Sequence, residues 1–132
     1  MTAWLDANVI LRFLTGDPAD LAGKARRVIR RASEGEVVLR IATVVIAEVV
    51  WVLGSYYQAP RDLIADQVRG LVLADGIDVE NREEVLDALR TMQDANVSFV
   101  DAYLAAVARA RGEPVVTFDA DFKRLGVEMI SS

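Results

Sequence analysis

Short apolar runs alternate with stretches of helical spacing along this chain. Ala3-Trp4-Leu5 predicts a buried strand ending at Asp6, followed by a helix from about Asn8 to Leu14. Gly16-Asp17-Pro18 breaks that helix, and Asp20 is the expected N-cap of a basic helix running to about Ala32. Gly35 introduces a second strand, Val37-Val38-Leu39, and Thr43 is the expected cap of a long apolar helix to Tyr57. Pro60 opens another helix to about Leu73, since proline suits the first turn. Gly76 precedes a strand over Ile77–Val79, and amphipathic spacing marks helices over Arg82–Met92 and Ser98–Arg109. After Gly112 and Pro114 come Val115-Val116-Thr117 as a fourth strand, a short helix over Asp119–Leu125, and an edge strand over Val127–Ile130.

Repeated β-α alternation with short strands predicts an α/β fold, with a mostly parallel sheet covered by helices on both faces. The chain has 132 residues, suits a single domain, and contains no internal repeat or linker. Ligands of such sheets bind at the carboxyl ends of the strands. Asp6 and Asp119 both follow strands, so they share one edge of the sheet if those strands are near neighbours.

Composition narrows the chemistry. Hydrophobic residues make up 53% and charged residues 27%, the balance of a globular protein. There is no cysteine, which excludes disulfides, thiolate metal sites and thiol nucleophiles. There is no histidine, which excludes Ser-His-Asp triads, paired-histidine ribonuclease chemistry and ordinary zinc sites. Catalysis must run on carboxylates, hydroxyls, Lys or Arg. The net charge of −5 weighs against a nucleic-acid binder, but Lys24, Arg26, Arg27, Arg30 and Arg31 crowd one segment. Asp6, Asn8 and Arg12 interrupt the apolar N-terminus, so no export signal is read there. The longest apolar run, Ile41 to Leu53, is shorter than the roughly 20 residues a bilayer needs, and a cytoplasmic location is expected.

Several acids stand at unusual places. Asp6 opens a helix, where capping is an ordinary reason for an aspartate; Asn8 either orients it or serves the turn. Glu48 lies in the almost unbroken apolar run IATVVIAEVVWVL. A helix apolar all round is mostly buried, and an unpaired ionised carboxylate there is costly or shifts its pKa. On that reasoning Glu48 is the most informative acid; a solvent-facing position or an arginine partner is the alternative. Ser98-x-x-Asp101 reads as a capping box, and Asp119 and Asp121 compete with the same local role. Thr117 is either a strand residue or a hydroxyl aimed at a site. Taken together, clustered carboxylates without a histidine or buried lysine call for a cation, and all-oxygen donors select Mg²⁺ or Mn²⁺. An ion so held activates water for phosphoryl displacement.

The segments LDANVILRFL, IAEVVWVL, FVDAYLAAVA and VVTFDADFKRLGVEMI, in that order, resemble the PIN-domain ribonucleases over essentially the whole chain. The resemblance is closest to the VapC-type toxins of type II toxin–antitoxin pairs. It implies a three-layer α/β/α sandwich with a short parallel sheet, and a metal-dependent endoribonuclease that leaves a 5′-phosphate. It also implies that Asp6, Glu48, Asp101 and Asp119 form the acidic quartet, with Asp6 and Asp101 as the metal ligands. Asn8, Thr117 and Asp121 match supporting positions. A homodimer and a cognate antitoxin are further implications. Such an antitoxin docks a helix in an apolar groove and sets a basic side chain in the acidic site. Trp51, Tyr56 and Tyr57 are candidates for groove or dimer contacts, or ordinary core and surface aromatics.

Two other readings compete. A haloacid-dehalogenase-like phosphatase also puts an aspartate after its first strand, but it wants a second one where Asn8 stands, and Lys123 is the one late candidate for its lysine. A partner-binding module that keeps the fold without catalysis is the other; the intact acids weigh against it.

Overall fold

The computed structural model describes residues 1–130, and they group into two compact units, Met1–Arg82 and Glu83 onward. The first unit runs β1 (Thr2–Trp4), α1 (Ala7–Thr15), α2 (Ala19–Ser33), β2 (Val38–Ile41), α3 (Thr43–Ser55), α4 (Arg61–Val72) and β3 (Ile77–Val79). Its strands lie in the order β1-β2-β3, each pair parallel, with Trp4 opposite Arg40 and Arg40 opposite Asp78. Parallel neighbours need a crossover, and each is made here by two helices. The core draws on both: Ile10 of α1, Ile46, Val49 and Leu53 of α3, and Val68 and Val72 of α4 are buried, as is Ile41 of β2.

The strands alternate. Leu39, Ile41, Ile77 and Val79 are buried, whereas Val38, Arg40 and Asp78 are exposed. A parallel sheet covered on both faces would read as nearly continuous burial. Here the open face carries an Arg40–Asp78 ion pair at 3.3 Å, with the Arg40 guanidinium 5.9 Å from the Trp4 ring centroid. One tight approach fixes the entry to β3. Gly76 has φ +78, and a Cβ built on it would lie 2.2 Å from the Ala32 carbonyl oxygen at the end of α2. No other residue fits without moving that backbone.

The second unit runs α5 (Arg82–Ala95), α6 (Phe99–Arg111), β4 (Val115–Val116), a 3-10 helix (Ala120–Leu125) and β5 (Met129–Ile130). β4 and β5 pair in parallel as a separate two-stranded sheet, Val115 opposite Met129. Small side chains on α6, among them Ala102 and Ala105, are buried with Val85, Leu89, Met92 and Phe122. Arg109 ties this unit together. It donates to Asp87 Oδ2 at 2.8 Å and to the Leu125 carbonyl, joining α6 to α5 and to the 3-10 helix.

The α/β class with parallel strands therefore holds, and every predicted element is present within a few residues. The starts of two helices differ. α2 is capped at Pro18, leaving Asp20 in the first turn, where its charge suits the helix dipole. Thr43 is the first residue of α3; its amide donates to Glu80 Oε1 and its hydroxyl to the Glu80 carbonyl. The cap of α3 thus comes from beyond β3, a partner that local sequence cannot reveal. Among the described residues no helix is long and apolar enough to cross a membrane.

Candidate active site

Asp6 stands two residues past the end of β1 and holds the N-cap position of α1, with the extended backbone (φ −82, ψ 148) that a cap requires. Its side chain nevertheless makes no capping hydrogen bond. The amide of Val9 turns instead to the Asp6 backbone carbonyl at 3.1 Å, so the helix start is closed by main chain alone. Asp6 is exposed, and among the described residues its carboxylate makes no hydrogen bond or ion pair. Asn8, one residue into the helix, is exposed too and lines a cleft of about 330 Å³ together with Arg12 and Lys24.

Glu48 is exposed, which corrects the expectation of a buried acid. α3 buries Ile46, Val49, Val50 and Leu53, and turns Val44, Glu48 and Trp51 outward. The residues 44, 48 and 51 repeat at helical spacing, so Glu48 sits in the middle of the solvent stripe. The sequence hid this because an almost wholly apolar helix has no contrast between faces. Desolvation is therefore no argument for a role of Glu48. Trp51 is 70% exposed and Tyr56 77%, the latter meeting the half-buried Tyr57 edge to face at 4.9 Å.

In the second unit the acids are closer to ordinary capping work. Ser98 caps α6 and accepts from the Asp101 amide at 3.2 Å, one arm of the expected box. The returning arm, from the Asp101 carboxylate to the cap amide, is not made among the described residues, and the half-buried carboxylate is left over. Asp119 caps the 3-10 helix with its side chain, Oδ1 accepting from the Asp121 amide at 2.9 Å. Thr117 sets up that turn: its amide extends the β4–β5 ladder to the Ile130 carbonyl, and its hydroxyl accepts from the Asp119 amide at 2.9 Å. Asp121 is exposed and stands 3.8 Å from Arg124.

The quartet thus divides two and two between the units. Asp6 and Asp119 stand just past strands, but of different sheets: β1 pairs with β2, and β4 with β5. Among the described residues no three carboxylates converge into a set that could hold a metal ion. The donor chemistry itself fits a hard divalent cation. Asp6 and Asp101 each offer a carboxylate that no capping bond consumes, and the chain supplies no nitrogen or sulfur ligand from His or Cys. The cleft beside Asn8 was not foreshadowed as a cavity, although the i, i+4 spacing of Asn8 and Arg12 puts both on one helix face.

Residues 3–128 match the family model of the PIN domain. No curated protein matches the chain. Among solved structures, the crystal structure of VapBC2 from Rickettsia felis bound to a DNA fragment from their promoter aligns over 98% of this chain and 98% of that one. The identity is 13% and the TM-score 0.42, a likeness too loose to support an inference.

Proposed function

This chain belongs to the PIN-domain family, and on that premise we propose that it is a Mg²⁺- or Mn²⁺-dependent endoribonuclease, the toxin of a toxin–antitoxin pair acting in the cytoplasm. The observation that carries the reading is the Asp6 carboxylate, exposed at the end of β1 and unspent on the helix whose cap position it occupies. A carboxylate with no structural task, in a chain without histidine or cysteine, is what oxygen-ligated metal chemistry requires.

Asp6 and Asp101 would hold the ion, with Glu48 and Asp119 completing the acidic set. When bound, the ion supplies an acidified water and a counter-charge for the phosphate being cut. The residues around it position and polarise. Asn8 offers an amide next to Asp6, Thr117 holds the backbone at Asp119, and Asp121 flanks it. A homodimer and an antitoxin complete the proposal. The antitoxin sets a basic side chain against these acids, where an arginine matches carboxylates in geometry and charge. The exposed Trp51 and Tyr56, with Tyr57, are the candidate contacts for a groove helix or a second subunit.

The test is cleavage of a defined RNA pool by the purified protein. Activity is expected to disappear in a chelator and to return with Mg²⁺ or Mn²⁺, leaving 5′-phosphate ends. Cleavage that persists in chelator sinks the metal mechanism. Failure to cut any RNA with metal present would favour a partner-binding module that keeps only the fold.

A further inference from the structure

The chain is acidic, yet α2 carries Lys24, Arg26, Arg27, Arg30 and Arg31 against the single acid Asp20. All five cations are exposed. Elsewhere six arginines pair with acids: Arg40 with Asp78, Arg69 with Asp66, Arg90 and Arg109 with Asp87, Arg111 with Glu113, and Arg124 with Asp121, whereas Arg12 reaches only the Asp17 carbonyl. On α2 only Arg31 does so, with Glu36 at 3.0 Å. Lys24, Arg26, Arg27 and Arg30 form no ion pair among the described residues.

The two central arginines also converge. Gly23 has no side chain, and the guanidinium groups of Arg27 and Arg26 fold over it, 3.7 Å and 3.8 Å from where its Cβ would stand. Arg30 and Arg31 have a local reason to be cationic, since they occupy the last turn, where positive charge offsets the helix dipole. Arg26 and Arg27 lie mid-helix and have none. Two like charges drawn to one bare spot, with no acid between them, repel until an outside anion joins them. Planar guanidinium groups are the side chains best matched to phosphate oxygens. Lys24, one turn before Arg27, lines the same cleft as Asn8, which stands two residues past Asp6.

We propose that the outward face of α2, centred on Arg26 and Arg27 over Gly23 and extended by Lys24, binds the sugar–phosphate backbone of RNA. The assignment rests on the nuclease reading for its substrate class, but its binding test does not. Equilibrium binding of a labelled single-stranded RNA is measured in chelator across a salt series, so that no cleavage intervenes. The variant R26Q/R27Q is expected to weaken binding on the order of tenfold at low salt and to reduce the slope of log K against log salt by about 1.4, two phosphates' worth for a single strand. R26K/R27K should keep the slope. R82Q/K123Q, which removes the same net charge in other places, should bind like the wild type.

Unchanged binding by R26Q/R27Q, or equal weakening by the R82Q/K123Q control, overturns the proposal. So does a wild type that fails to bind RNA but binds a polyglutamate peptide through the same arginines, which assigns the face to an acidic protein segment. The two readings separate cleanly. Metal-dependent cleavage with normal binding by R26Q/R27Q removes the RNA face and leaves the nuclease. The expected binding loss, in a protein that cuts no RNA, removes the nuclease and leaves the face.

Discussion

Asp6 and Asp119 stand in the same local grammar, a short apolar strand followed by an aspartate and a helix start, and the molecule uses them differently. Asp119 spends its carboxylate on the Asp121 amide and is itself held by the Thr117 hydroxyl. Asp6 occupies the corresponding position before α1, and its carboxylate bonds to nothing in that helix. A capping side chain has a structural reason to be acidic or amide-bearing; an idle one at a strand end does not. The contrast is one of local structure: Asp119 serves its helix start with its side chain, and Asp6 makes no side-chain cap for α1.

The largest expected effect follows from that difference. Asp6→Asn should lower metal-dependent RNA cleavage on the order of a hundredfold or more, the scale of losing a transition-state stabiliser. Its unfolding free energy from urea titration should stay within about 0.5 kcal/mol of the wild type, as for a surface residue without a capping bond. Unfolding of this variant, or cleavage at the wild-type rate, would break the comparison. The contrasting site should show both kinds of loss. Asp119→Ala should cost about 1 kcal/mol of stability for the missing cap as well as activity. Asp119→Asn should restore the stability without the activity, because an amide oxygen caps but does not carry charge. If the alanine and asparagine variants melt alike, the Asp119 cap contributes nothing.

Next in size is α6, where the two roles fall on different residues. Ser98→Ala removes the acceptor used by the Asp101 amide and should cost about 1 kcal/mol. Asp101→Asn leaves that bond in place and should change the melting midpoint less while reducing cleavage. A reversed order of stabilities would mean that the Asp101 carboxylate, and not its amide, secures the helix. The smallest stability effect belongs to Glu48→Gln, expected within about 0.5 kcal/mol because the position faces solvent. A gain of several kcal/mol on neutralising it would restore the buried-acid reading and contradict the exposed stripe of α3.

Much of this was legible in the residues themselves. Element order, the punctuation at Gly16, Gly76 and Gly112, the cap at Ser98 and the parallel α/β class follow from periodicity and turn chemistry, which depend on neighbours a few residues apart. The absence of histidine and cysteine, likewise, restricted the chemistry to oxygen ligands before any fold was considered. Tertiary structure decided what those rules leave degenerate. Only packing chose which side of the apolar α3 meets solvent, and so exposed Glu48. Only strand pairing put β4 with β5 in a sheet separate from β1. Only the course of the chain beyond β3 brought Glu80 to the start of α3. Whether an aspartate at a helix start caps or stands free is settled the same way, by the few tenths of an ångström and degrees of rotation that the surrounding elements impose. Asp6 and Asp119 differ in that geometry, although the patterns around them are alike.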